Sequence, residues 1–270
     1  MAIGIGFGRY CPGDSPIHRL DPRCKAVCVL ALMVTTFAIT TAGQLAIAVA
    51  GALGLVMATG VPLRRTLDSV RPVLLFILVI GLLDLFFVST GETLLAAGPV
   101  RVTTGGVWTA VLYTCRFAVL VLYGATLLLT TTPTALTDAF ESLLSPLARL
   151  GLHVHEISMV LSLALRFVPT LADECSAIMD AQAARGSSLA NGGPTQRLRA
   201  FVAVLMPMFA GALRHASGLS RALDARCYEG GSGRTHYHVL RLGRRDAWFS
   251  VATLAYVAVL LALGMVGAGV

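Results

Sequence analysis

The chain has 270 residues, of which 56% are hydrophobic and only 13% charged, with a mean hydropathy of +0.78 and a formal net charge of +7. Soluble globular domains carry about twice that charged fraction, so the composition excludes an ordinary soluble domain and points to a membrane protein. Lys25 is the sole lysine, and in such a protein the arginine excess marks cytoplasmic loops rather than a nucleic-acid partner.

Residues 1–25 read as a polar, basic, cytoplasmic N-terminal segment carrying Arg9, Arg19, Arg23 and Lys25. Gly4-x-Gly6-x-Gly8 at its start follows no strand and reads as a flexible lead. Apolar runs follow at 26–42 and 45–60, broken at Gly43-Gln44, then a basic link with Arg64, Arg65 and Arg71. A third run covers 73–88, a polar stretch holds Glu92 and Arg101, and a fourth run covers 107–130. The last run, 247–270, is the cleanest. A spanning helix takes roughly 17–25 apolar residues. Transmembrane helices 1–4 are therefore predicted within 26–131 and a C-terminal transmembrane helix at 247–270. The fold class is an all-α membrane protein of about five transmembrane helices. The first apolar run starts near Ala26 and no A-x-A site follows it, so a cleavable signal peptide is not expected.

The positive-inside rule orients the array. The N-terminus and the 61–72 link should be cytoplasmic, and the 89–106 loop, with only Arg101, outside. Segment 132–246 should lie inside, since twelve arginines fall between 131 and 246. It is also apolar in stripes. Thr132-Pro133 starts a helix over about 135–150. Ile157, Val160, Leu161, Ala164, Leu165, Val168 and Leu171 recur at spacings of three and four in a long helix over 156–184, with a bend expected at Pro169. Asn191-Gly192-Gly193-Pro194 breaks the pattern, and 196–226 reads as a second long helix containing Pro207. Faces so apolar must be covered by protein or lipid headgroups.

Each of these two helices ends in a similar tripeptide: Ala184-Arg185-Gly186 and Ala225-Arg226-Cys227, forty-one residues apart. Two readings stand. Arginine before glycine can be a helix C-cap, with the cation against the helix dipole and glycine in the left-handed position. An exposed guanidinium fork can instead enter a partner's groove and pair with a carboxylate. The repetition at two helix tips favours docking onto a two-fold or pseudo-two-fold partner. Cys227 stands where glycine is expected and predicts a less regular second cap.

Other chemistry finds little support. No G-x-x-x-x-G-K-[ST] stretch exists, so ATP, if used, is bound by another subunit. Asp180 to Arg185 resembles the start of the aspartate-rich motif of CDP-alcohol phosphotransferases, but Leu198 and Val202 stand where its metal-binding carboxylates would fall. His153-x-His155 and His236-x-His238 lack cysteine partners and read as loop or interface histidines. Asp84 and Arg116 lie within predicted spans and could pair with each other. The six cysteines form no C-x-x-C and read as small reduced hydrophobes. No catalytic, cofactor or metal-binding residue is expected. A stand-alone secondary transporter is the alternative, disfavoured by few intramembrane polar residues and no visible repeat.

The order of motifs resembles one family. Ser15-Pro-Ile-His-Arg-Leu-Asp-Pro-Arg23 is similar to an S-x-x-H-x-L-D-P-R stretch of the transmembrane T components (EcfT, CbiQ-like) of energy-coupling-factor ABC transporters. Thr131-Thr132-Pro133, Pro146 to Gly151, Leu161 to Pro169, Ala181 to Gly186, Ala222 to Tyr228 and Gly233-Arg-Thr235 continue it in the family's order. The resemblance implies a non-catalytic helical scaffold in a prokaryotic cell membrane, with 132–246 as its cytoplasmic coupling-helix region. Its partners would be two ABC ATPase subunits and a membrane S component that binds a vitamin or transition-metal ion. Arg185 and Arg226 would be the ATPase-docking arginines, and Ala184, Gly186, Ala225 and Cys227 their close-packing neighbours.

Overall fold

The computed structural model describes residues 11, 13–88, 90, 92–97, 100–146, 154–186, 193–228 and 242–267. Eight α-helices are present among them: α1 Pro22–Thr36, α2 Ala42–Thr59, α3 Leu63–Phe87, α4 Thr104–Thr130, α5 Pro133–Leu144, α6 Val154–Ala184, α7 Pro194–Asp224 and α8 Arg244–Gly267. The chain divides into two compact units. One comprises residues Gly8–Ala139 and His238–Val270, the other Met1–Phe7 and Phe140–Tyr237.

In the first unit the helix starts are written in the sequence. Asp21 caps α1 by accepting the Arg23 N–H, and Pro22 takes the first turn, where a missing N–H costs nothing. Thr41 and Gln44 form a reciprocal capping box at α2, and Gly60, at φ +66°, closes its C-terminus. α4 packs against α1, α2 and α3, while α8 packs against α1 and α2. Their shared core holds Val29, Leu32, Ile39, Leu45, Ala48, Ala52, Val119 and Tyr123. Gly51 lets Tyr256 approach α2: a Cβ there would lie 2.4 Å from the phenol oxygen. That phenol donates to the Ile47 carbonyl at 3.2 Å. Gln44 Nε2 also donates to the Leu260 carbonyl at 2.8 Å, tying α2 to α8.

A second polar cluster joins the start of α1 to α8 and the end of α4. Asp246 accepts the Asp21 N–H at 2.8 Å and the Gly243 N–H at 2.7 Å. Lys25, 2% exposed, donates to the Thr130 carbonyl at 3.1 Å. Cys24 and Cys28 lie beside Ser250, with 3.1 Å from Cys24 Sγ to the hydroxyl. Outward, α3 and α8 present Leu75, Phe76, Phe87, Trp248, Leu254 and Met265. Apolar exteriors of that kind must be covered by lipid or by protein.

Four helices are long and apolar enough to cross a membrane: α2, α4, α7 and α8 over Arg244–Met265. The apolar part of α3, Val73–Phe87, is shorter. The basic link expected at 61–72 is largely helical, because α3 begins at Leu63 and carries Arg64, Arg65 and Arg71 on its first turns. The loop after α3 contains an unforeseen antiparallel hairpin, β1 Thr93–Ala97 with β2 Val100–Thr103, in which Thr93 faces Thr103 and Ala97 faces Val100. Val102 and Thr103 favour a strand, but the run is too short for hydropathy to register.

In the second unit α6 and α7 pack together as an antiparallel pair. Gln182 Nε2 on α6 donates to the Ala203 carbonyl of α7 at 3.3 Å, and Glu174 meets His215 at 2.6 Å. Both helices run unbroken through Pro169 and Pro207. Ser158 near the start of α6 donates to Glu141 at 2.6 Å.

Candidate functional site

The two arginine-bearing ends both place a residue at positive φ directly after the arginine. At the end of α6 the Arg185 N–H donates to the Gln182 carbonyl at 3.1 Å and the Gly186 N–H to the Ala183 carbonyl at 3.0 Å. Gly186 sits at φ +80°. A Cβ at this position would meet nothing within 4 Å, so the glycine serves the backbone angle and not close packing within the chain. At the end of α7 the Cys227 N–H donates to the Asp224 carbonyl at 3.0 Å and the Tyr228 N–H to the Leu223 carbonyl at 3.1 Å. These two bonds make a Schellman motif, with Cys227 in its left-handed position at φ 52°. The less regular second cap expected from Cys227 is therefore not found. Cysteine takes the angle that glycine takes at the first site, at a cost of about 1 kcal/mol or more for an L-residue.

The caps are closed by backbone N–H groups, so neither guanidinium is needed for them. Ala184, Arg185, Gly186, Ala225, Arg226 and Cys227 are all exposed, and neither arginine side chain has a hydrogen-bond or ion-pair partner among the described residues. Each presents an unspent fork of donors at a helix C-terminus.

Their placement follows from the helix pair. Because α6 and α7 are antiparallel, Arg185 lies just beyond the Gln182–Ala203 contact at one end, and Arg226 lies eleven residues past His215 toward the other. At 1.5 Å per residue the two are separated by roughly 40 Å along the pair. Along the pair α7 exposes Leu198, Phe201, Met206, Phe209 and Leu213, and α6 exposes Ile157 and Val160.

The other residues singled out by sequence are accounted for differently. Asp84 and Arg116 do not pair. Arg116 donates to the Ile39 carbonyl and lies over the Tyr113 ring at 5.1 Å, while Asp84 Oδ2 is buried without a hydrogen-bond partner. His153, His236 and His238 lie outside the described residues, as do Gly4, Gly6, Gly8, Gly233 and Arg234. No cluster of three or more histidine, cysteine or carboxylate side chains able to hold a metal occurs among the described residues. Sequence reasoning missed two polar contacts, Glu174–His215 and Asp246 with Asp21. Both join residues far apart in the chain, and neither type has a local pattern that announces it.

Fold and site together define a multi-span membrane protein with two exposed, arginine-tipped helix ends. Residues 13–237 match the CbiQ family, described as cobalt transport protein. The chain is 38% identical over 249 residues to the energy-coupling factor transporter transmembrane protein EcfT of Thermosediminibacter oceani, covering 92% of this chain and 94% of that one. It is 41% identical over 252 residues to EcfT of Thermanaerovibrio acidaminovorans, covering 93% of each. It is also 51% identical over 252 residues to a putative ABC transporter ATP-binding protein of Bifidobacterium longum; this covers 93% of the chain but only 32% of that protein's length. The chain belongs to the CbiQ/EcfT family of transmembrane components of energy-coupling factor, ABC-type transporters.

Proposed function

We propose that this chain is the non-catalytic scaffold of an energy-coupling factor importer, docking two ABC ATPase subunits through Arg185 and Arg226 and passing their motion to a separate S component. The observation that carries the reading is the pair of exposed arginines without a partner among the described residues, each followed by a residue at positive φ, at opposite ends of one helix pair. Two docking points roughly 40 Å apart suit two ATPase subunits better than one. Similarity to a segment of a protein named as an ABC transporter ATP-binding protein supports an ATPase partner. The apolar faces of α6 and α7 would hold the S component, which selects a vitamin or a transition-metal ion. The α6–α7 unit and the N-terminal segment would lie on the cytoplasmic side of a prokaryotic cell membrane, by the excess of arginine.

The test is co-purification of the tagged chain with the ABC ATPases encoded beside it, as wild type, Arg185→Glu, Arg226→Glu and the double variant. Disrupting a desolvated charge pair costs about 2–5 kcal/mol, or ~30-fold or more in affinity. Wild type should retain the ATPases, each single variant should lose most of them, and the double variant should lose all. Equal retention by all four forms refutes the docking role. Absence of ATPases even from well-folded wild type favours a stand-alone permease.

A further inference from the structure

The seam between α6 and α7 is thin. The buried residues of α7 are Ala200, Val204 and Gly211, all small. A smooth seam of this kind holds two helices together but fixes their crossing and register weakly, because small side chains offer few ridges to interlock. Among the described residues, two side-chain hydrogen bonds link the helices. One is Gln182 to the Ala203 carbonyl at 3.3 Å. The other, Glu174 Oε1 with His215 Nε2 at 2.6 Å, joins two side chains of opposite charge tendency and is the shorter.

The surroundings are shaped around that second contact. The His215 ring lies 5.9 Å from the Phe167 ring, tilted by 36°, so α6 holds the imidazole from one side while Glu174, seven residues on, takes its nitrogen. On α7, Gly211 is one turn before His215. A Cβ there would stand 3.2 Å from Glu174 Oε2, so the carboxylate would have to give by a few tenths of an ångström. Glycine in a helix interior is less favourable than alanine, and here its bareness leaves room for the Glu174 side chain.

We propose that Glu174 and His215 are positioning residues that fix the crossing of α6 and α7, so that displacement at one arginine tip is carried to the other instead of being lost as sliding along the seam. The pairing itself stands on geometry; its role in coupling rests on the docking function proposed above. Neither residue touches the ATPase-docking arginines, so removing the pair leaves both tips in place and loosens what lies between them.

The experiment places nitroxide labels at Asp180→Cys and Ser217→Cys, both exposed, in the full chain freed of its native cysteines and held in lipid nanodiscs. Distances are read by double electron–electron resonance, on the chain alone and with its ATPases, with and without ATP. The parent should give a single narrow distribution. Glu174→Ala and His215→Ala should lose it, and the reciprocal swap Glu174→His/His215→Glu should restore it. Gly211→Ala serves as a second probe: it strengthens the intrinsic helix propensity of α7, yet should shift the distribution through the displaced carboxylate. With ATPases bound, the alanine variants should keep the subunits but lose the ATP-dependent shift in distance. Distributions in Glu174→Ala and His215→Ala that match the parent overturn the proposal. Broadening that the swap does not reverse assigns the effect to lost packing and overturns it equally. Failure of wild type to bind ATPases would remove the coupling role alone, since the measurement on the isolated chain still decides whether the pair sets the crossing.

Discussion

The two helix ends differ by one residue in the left-handed position, and that difference can be inverted. At Gly186 the angle is φ +80° and the space around a Cβ is empty, so Gly186→Ala adds no clash and its effect is purely that of the backbone. The left-handed region costs an L-residue about 1–2 kcal/mol, offset in part by alanine's smaller entropy loss on ordering, for a net destabilisation of about 1 kcal/mol. Cys227→Gly runs the other way, releasing about 1 kcal/mol held at φ 52°. Such a change alters the open-to-closed ratio of a fraying helix end by about fivefold. Hydrogen exchange by mass spectrometry, on the chain in nanodiscs and corrected for intrinsic rates, reads it locally. The reporters are the Gly186 amide, bonded to the Ala183 carbonyl, and the Tyr228 amide, bonded to the Leu223 carbonyl. Exchange should quicken about fivefold at the first in Gly186→Ala and slow about fivefold at the second in Cys227→Gly. Both variants moving in the same direction, or no response at Gly186, would refute the argument that the left-handed angle is what selects glycine.

Two further predictions concern the first unit. Asp246→Ala leaves the Asp21 and Gly243 N–H groups without their acceptor. The Asp21 N–H, buried and left unsatisfied, costs about 1–3 kcal/mol, so thermal unfolding should begin at a lower temperature. A thiol-reactive dye should report it through Cys24 and Cys28, which are buried beside the same cluster; an unchanged melting curve would show that the cluster relaxes without loss. Gly51→Ala places a methyl group where Tyr256 now sits, 2.4 Å from its oxygen. Overpacking of this kind costs about 1–3 kcal/mol, and pairing Gly51→Ala with Tyr256→Phe should recover part of it.

Much of the helical plan was legible because lipid imposes a coarse rule: apolar runs of sufficient length become helices. The fourth run, read as 107–130, is helix over Thr104–Thr130, and the long stretches read as 156–184 and 196–226 are helices over Val154–Ala184 and Pro194–Asp224. The ends were less legible where capping chemistry overrides hydropathy. The run read from Ala26 begins at Pro22, because Asp21 caps a helix that then includes Arg23 and Lys25. The cap after α7 is more regular than cysteine in place of glycine suggested, because Cys227 takes the left-handed angle. The tertiary contacts, Glu174 with His215 and Arg116 with the Ile39 carbonyl, depend on which helices meet, and no periodicity within one segment encodes that.

Lys25 has a practical consequence. It is the only lysine in the chain, and its amine is buried against the end of α4. Amine-directed labels and crosslinkers will therefore find no reactive lysine on the folded protein. In any mixed assembly such reagents would mark exposed lysines of other chains and not Lys25. Reagents aimed at carboxylates, or at thiols through the exposed Cys227, are the ones that would place this chain.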